Sequence, residues 1–307
     1  MQAQDPAGKE PSLKMRDSPT IGVLLEVAVG RLAAAGIEQP RTEAEILLGD
    51  AAGWERWRLR LHFRETVEER VHRRFEALLG KRAARIPLQH LLGGWPFLEL
   101  DLICDDRALI PRPETEDLAL AGRELLREIP EPRVADVGTG SGCLILALMT
   151  PFPGAWGVGI DIDPRSLALA RENAGKTGLE GRVQWLRGDL LDPVREEESF
   201  DLIVANLPYV TEQEWRTLEP EVRDHDPRRA LVAPEGGLAL IHALAGQAPA
   251  RLRAGGWLLL EMAPDQTVAV AERLRRGNWR EVKVLEDRFS RPRMVRARWD
   301  AAAAAET

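Results

Sequence analysis

The chain has 307 residues, 44% hydrophobic and 30% charged, with a net charge of −7 and a pI near 5.5. That length suits two domains. No run approaches the roughly 20 apolar residues of a membrane span, so a cytoplasmic globular protein with no membrane partner is expected. The acidic balance disfavours nucleic acid as the main partner, because proteins that grip a duplex carry a basic face; a monomer is the default expectation.

Residues 1–17 are polar and lack the apolar core of a signal peptide; with the alanine-rich tail 301–307 they read as disordered ends. From Thr20 to about Leu92 the pattern is helical. Val23, Leu24, Leu25, Val27, Ala28 and Leu32 recur at three- and four-residue spacings. Thr42-Glu43-Ala44-Glu45 resembles a capping box opening a second helix through Ala52. Thr66 precedes a third helix, Val67 to Leu79. Residues 18–94 thus read as a small helical domain. Its basic run, Arg70 to Arg74 and then Lys81-Arg82, is either a solvated helix face or a docking surface for a protein or RNA.

Composition then changes. Phe97 to Ile103 alternates as a half-buried strand does. Asp105-Asp106-Arg107 can turn the chain and Ala108-Leu109-Ile110 can return, giving a β-hairpin linker over 95–112. Pro111-Arg112-Pro113 breaks the chain, and Glu114-Thr115-Glu116 opens a helix to about Glu128 at the start of a second domain, 113–300.

From Arg133 strands and helices alternate, which argues for a parallel sheet covered on both faces. Strands are expected at 133–137, 156–160, 182–186, 200–205, 256–261, 280–285 and 293–299, with helices at 142–149, 164–174, 236–253 and 264–276. The last two strands are too close for a crossover helix and should pair antiparallel. A mostly parallel sheet of seven strands ending in a hairpin is the α/β layout of class I (Rossmann-like) methyltransferases.

Two motifs carry the chemistry. Val134-Ala135-Asp136 leads into the turn Gly138-Thr139-Gly140-Ser141-Gly142, where glycines let the backbone bend and approach a ligand. The next strand ends at Asp161, about 20 residues on, where a carboxylate can accept from two ribose hydroxyls. NAD-binding domains use a related pattern. Asp136, placed to meet an ammonium group, and Asp189, placed to accept from an adenine amine, favour S-adenosylmethionine, although Asp189 could instead cap a helix. The second motif, Asn206-Leu207-Pro208-Tyr209, closes an apolar strand at the sheet edge where ligands collect. The Asn206 oxygen and the Leu207 carbonyl can each accept one N–H of a planar NH2, and Tyr209 can pack on the planar group. Holding both N–H bonds steers the nitrogen lone pair toward a methyl donor. Alone, the tetrapeptide could be no more than a turn. Cys104 and Cys143 follow no metal spacing and read as buried free thiols, and the five histidines are scattered, so no metal is expected.

The chain resembles the HemK/PrmC family, the N5-glutamine methyltransferases of peptide chain release factors. The resemblance runs over about residues 20–299: the helical N-domain, Arg85 to Gly93, Leu109-Ile110-Pro111-Arg112-Pro113-Glu114-Thr115-Glu116, the glycine turn, Asn206-x-Pro208-Tyr209, and Gly255 to Glu261. It implies methylation of the glutamine in the Gly-Gly-Gln loop of class 1 release factors, gripped by the helical domain. It implies that Gly138 to Gly142 and Asp161 bind S-adenosylmethionine, that Leu190 lies against adenine where the family is often aromatic, that Asn206 touches both cofactor and glutamine, and that Asn206, Leu207, Pro208 and Tyr209 hold the glutamine amide. Arg112 and Thr115 would approach the methionine end of the cofactor. Leu207 stands where the family usually has proline, the segment Arg223 to Leu231 has drifted, and Glu261-Met262-Ala263-Pro264 replaces a more usual Glu-x-Gly. The rivals are an N6-adenine methyltransferase, which uses the same Asn-x-Pro-Tyr logic on a flipped base, and a non-catalytic cofactor-binding protein.

Overall fold

A computed structural model describes residues 19–301; both expected disordered ends, apart from Ala301, lie outside the described residues. The chain forms two compact units, one through Leu91 and one from Leu92.

In the first unit, α1 (Ile21–Ala34), α2 (Pro40–Ala52), α3 (Arg56–Leu61) and α4 (Glu69–Ala83) enclose Leu24, Leu25, Leu32, Leu47, Leu48, Leu59, Phe75 and Leu79. Thr20 caps α1, accepting from the Val23 amide. Val23 and Val27, counted in the helical repeat, are exposed. A helix buries one stripe, and Ile21, Leu24, Leu25, Ala28 and Leu32 already fill it. Thr42 does not cap α2. Pro40 takes the first helical position, where it has no amide to satisfy, so Thr42 falls inside the first turn. α4 begins at Glu69 because the Val67 amide bonds to the Pro19 carbonyl and Thr66 bridges to Thr20. The basic run on α4 is partly consumed within the unit: Arg74 donates to Asp50 at 2.8 Å, and buried Arg82 pairs with Glu43. A short helix, α5 (Leu88–Leu92), follows.

The second unit opens with the hairpin β1 (Gly94–Phe97) and β2 (Leu100–Ile103). Its turn, Leu98-Glu99, cuts the run expected to be one strand, and residues 104–112 form no strand. Leu98 adopts φ 50°, and its amide donates to Glu116 Oε1 at 3.0 Å. The turn sets Phe97 opposite Leu100, and both join Leu102 in the core beneath the following helix, so the hairpin is part of this unit's body.

The remaining strands, β3 (Arg133–Val137), β4 (Trp156–Asp161), β5 (Val183–Arg187), β6 (Phe200–Ala205), β7 (Leu252–Glu261), β8 (Trp279–Glu286) and β9 (Pro292–Trp299), form one sheet in the order β5-β4-β3-β6-β7-β9-β8. β3 to β7 run parallel, and β9 lies antiparallel between β7 and β8, as the short last connection requires. Helices α6 (Pro113–Leu126), α7 (Cys143–Met149) and α8 (Pro164–Thr177) cover one face. Two short helices that were not expected, α9 (Glu212–Trp215) and α10 (Pro220–His225), occupy the connection after β6. α11 (Ala239–Gln247) and α12 (Thr267–Arg275) cover the other face. α11 is shorter than the expected 236–253 because a 3-10 turn at 248–250 leads into β7, which starts at Leu252. Buried on both sides, β6 reads as an uninterrupted apolar strand apart from Asp201.

The chain leaves β3 toward β4 and β5, then crosses to β6 on the other side of β3. That reversal opens a crevice at the carboxyl ends of β3 and β6. Val137 pairs with Ala205, and Ala205 with Leu260. The residues that follow, Gly138, Asn206 and Glu261, are therefore neighbours across three strand ends.

Candidate active site

A cavity of about 160 Å³ occupies this crevice. Its wall is drawn from 108–112, the glycine turn, 160–163, 188–190, 206–208 and 227–230. Gly138 and Gly140 adopt φ 74° and 55°, conformations that suit glycine and turn the backbone over the cavity. Gly138 is doubly constrained, because a Cβ there would lie 2.9 Å from Leu207 Cδ2. Gly142 does not line the cavity. It starts α7 at φ 79° and lies so close to Ala170 and Trp185 that a Cβ would come within 3.2 Å of each.

Asp136 is buried beneath the turn and accepts from Thr139 Oγ1 at 2.7 Å; burial pushes its pKa up to about 7 against that bond. Asp161 accepts from the Gly140 amide at 2.9 Å with one oxygen and from the Asp163 amide at 2.8 Å with the other. Each of its oxygens keeps a further lone pair for a ligand hydroxyl; burial raises its pKa. Asp189 is exposed at the rim. No helix follows it, so it caps none, and Leu190 beside it is buried against the cavity at φ 44°. The donor set fits an adenosyl amino acid: a carboxylate for vicinal hydroxyls, an apolar wall for a flat ring, and backbone room at the glycine turn.

Asn206, Leu207 and Pro208 line the same cavity. Asn206 Nδ2 donates to Thr115 Oγ1 at 2.9 Å, and Thr115 Oγ1 donates to Glu261 Oε2 at 2.9 Å. Glu261 is 1% exposed, and burial pushes its pKa up to about 7, with Arg293 and Thr115 opposing. Tyr209, the only tyrosine in the chain, does not line the cavity. Its hydroxyl accepts from Arg293, whose guanidinium sits over the ring at 5.1 Å, and its carbonyl accepts from Gln266 at 3.0 Å. Sequence reasoning missed Glu261, Arg293 and Asp226 as parts of the site. Asp226, within the drifted segment, is buried and accepts from Arg112 at 2.6 Å. Glu261 carried a signal, a charge closing the apolar run Leu258-Leu259-Leu260 as Asn206 closes β6; Arg293 carried none among so many arginines. Cys104 and Cys143 are free, and burial pushes both thiols up to about 12; Cys143, only half-buried, borders the cavity.

Sheet order, switch point and glycine turn together define an α/β methyltransferase of class I. A methyltransferase domain family model matches residues 134–225, and a PrmC N-terminal domain model matches residues 24–93. Among solved structures, the hMettl16 catalytic domain in complex with MAT2A 3'UTR hairpin 6 aligns at a TM-score of 0.56 with 18% identity, over 73% of this chain and 81% of that one, a likeness of fold. The release factor glutamine methyltransferase of Deinococcus radiodurans is 42% identical over 90% of this chain and 97% of its own length. That of Cereibacter sphaeroides is 40% identical over 91% and 98%. This chain belongs to the release factor glutamine methyltransferase family. Among the described residues no helix is long and apolar enough to cross a membrane.

Proposed function

We propose that this chain methylates the side-chain amide nitrogen (N5) of the glutamine in the Gly-Gly-Gln motif of class 1 peptide chain release factors, with S-adenosylmethionine as donor, in the cytoplasm and as a monomer. The observation that carries the reading is the β3–β6 register, which sets Asn206-Leu207-Pro208 beside the glycine turn on one cavity wall. Gly138, Thr139, Gly140 and Ser141 give the donor its backbone cradle, and Gly142 fixes the exit into α7. Asp136 sits under the methionine end, Asp161 takes the ribose hydroxyls, Asp189 the adenine amine, and Leu190 packs on adenine. When bound, the donor's sulfonium supplies an electrophilic methyl.

An amide nitrogen is a weak nucleophile because its lone pair is delocalised into the carbonyl. Asn206 Oδ1 accepts one N–H of the glutamine and the Leu207 carbonyl the other. These two acceptors aim the lone pair and stabilise the positive charge that grows on nitrogen until one of its protons passes to solvent. Pro208 stiffens the loop, and Tyr209 anchors it from behind through Arg293 and Gln266. The helical unit grips the release factor.

The test is transfer of labelled methyl from S-adenosylmethionine to a purified unmethylated release factor, with a Gly-Gly-Ala version and adenine-containing nucleic acid in parallel. Label on the wild-type factor alone is expected, with Asn206→Ala reducing transfer by about 100-fold or more. Label on nucleic acid alone would instead support an adenine methyltransferase. Donor binding without transfer to either would support a non-catalytic role.

A further inference from the structure

An asparagine amide can present either its oxygen or its NH2, and only the oxygen can bind a substrate NH2. We propose that Glu261 is a positioning residue that sets the polarity of Asn206 through Thr115, so that the amide oxygen faces the acceptor nitrogen. The inference rests on the reading of this chain as an amide methyltransferase.

An ionised carboxylate only accepts hydrogen bonds, and a threonine hydroxyl has one proton to give. The bond from Thr115 Oγ1 to Glu261 Oε2 at 2.9 Å uses that proton. Thr115 can then only accept in its second bond, at 2.9 Å to Asn206, so Nδ2 must face it. Oδ1 is left with no protein donor among the described residues. With Oε1 left bare toward Arg293 at 3.8 Å, a proton on Glu261 goes to Oε2 and the order reverses. The carboxylic acid donates to Thr115, the hydroxyl swings to donate to Asn206, the amide flips, and Nδ2 confronts the substrate N–H: two donors and no bond. A glutamine at 261 has the same effect. Arg293 lies 3.8 Å from Glu261 Oε1, so the glutamine oxygen would turn to the guanidinium and its NH2 to Thr115.

The groups around Glu261 are Arg293 from β9, Glu114, Thr115 and Asp117 from α6, Tyr209 after β6 and Cys143 at the start of α7. Glu114 is paired with Arg291, Asp117 with Arg288 and Arg112 with Asp226. Burial brings Glu261 up to about 7, so a single proton can change the state of the chain of bonds near neutrality. Below that pH the protonated network presents the wrong end of Asn206; above it, the right one.

The sequence holds three asparagines, Asn173, Asn206 and Asn278, so selective 15N-asparagine labelling resolves the side-chain amide of Asn206, assigned by its loss in N206D. In the wild type this signal is expected to shift with pH through the neutral range. In E261Q it should stay at the low-pH position at every pH. In the methyl-transfer assay E261Q and T115V should lower kcat about tenfold or more, with the KM for S-adenosylmethionine changed less than about twofold. T115S, which keeps the hydroxyl, should be about fivefold or more faster than T115V. An Asn206 signal that neither titrates nor differs in E261Q would overturn the proposal, whether or not any release factor is methylated. So would full activity of E261Q beside an active wild type. A wild type that methylates no release factor would overturn the functional reading and leave the resonance experiment to decide the polarity of Asn206.

Discussion

Glu261 and Asp136 are both carboxylates that burial holds near 7, well above their ordinary values of 4.5 and 3.8. Between the unfolded and folded values the folded chain keeps a proton that the unfolded chain has released. Each group therefore favours the folded state at low pH, and that stability is lost as pH rises through about 7. Replacing Glu261 by Gln removes this loss. Urea unfolding of E261Q and wild type should give similar stabilities at pH 5 and a gain for the variant on the order of 3 kcal/mol at pH 8. Parallel pH profiles would show that Glu261 keeps an ordinary pKa. A gain in stability joined to a loss of turnover would mark Glu261 as a residue kept for function. Gly138 offers a second test. With φ 74° and Leu207 Cδ2 2.9 Å from the position of a Cβ, G138A combines backbone strain with a clash. It should cost about 1–2 kcal/mol of stability and abolish donor binding in calorimetry; retained binding would mean that the turn can relax. Leu207 itself is buried, and its side chain fills the space over Gly138, so the departure from proline keeps the wall of the crevice closed.

The first turn of α6 shows why the segment Ile110 to Glu116 is so distinctive. Its polar side chains tie to four other parts of the unit: the segment after α10, the β8–β9 turn, β7 and the β1–β2 turn. Arg112 holds Asp226, Glu114 pairs with Arg291, Thr115 donates to Glu261, and Glu116 bonds both the Leu98 amide and Arg288. The turn between β8 and β9 thereby clamps the helix start that places Thr115 under Asn206. The Arg112–Asp226 pair has one fully buried partner, so R112A strands a carboxylate that is already raised by desolvation. R112A should destabilise by about 3 kcal/mol. R112A/D226N should lose much less than the sum of the two single variants, because the neutral amide needs no counter-charge. Additive losses would show that the two side chains do not act as a pair.

On the scale of the whole molecule, every residue that lines the cavity lies between Ala108 and Leu240, within the second unit. Removing residues 1–91 should leave S-adenosylmethionine binding within about threefold. The same deletion should lower kcat/KM for an intact release factor by about tenfold or more while changing little for a short Gly-Gly-Gln peptide. Equal losses on both substrates would assign the helical unit to catalysis or folding instead of substrate capture.

Local patterns were enough for the architecture. Buried parallel strands must be apolar runs, glycines must turn where a side chain would clash, and a last connection too short for a helix must be antiparallel. From these alone the seven strands, the glycine turn and Asn206-Leu207-Pro208-Tyr209 could be read, together with a resemblance that the relatives bear out. Helix starts and the hairpin turn were misplaced because neighbours override local signals. Pro40 displaced Thr42, and Glu116, eighteen residues away, supports the positive φ of Leu98. The tertiary structure alone decided which polar residues meet. Thr115, Asn206, Glu261 and Arg293 lie on four separate elements, and strand order and register bring them together. A hydrogen bond depends on position to a few tenths of an ångström, and no periodicity along a chain encodes distances between its remote parts.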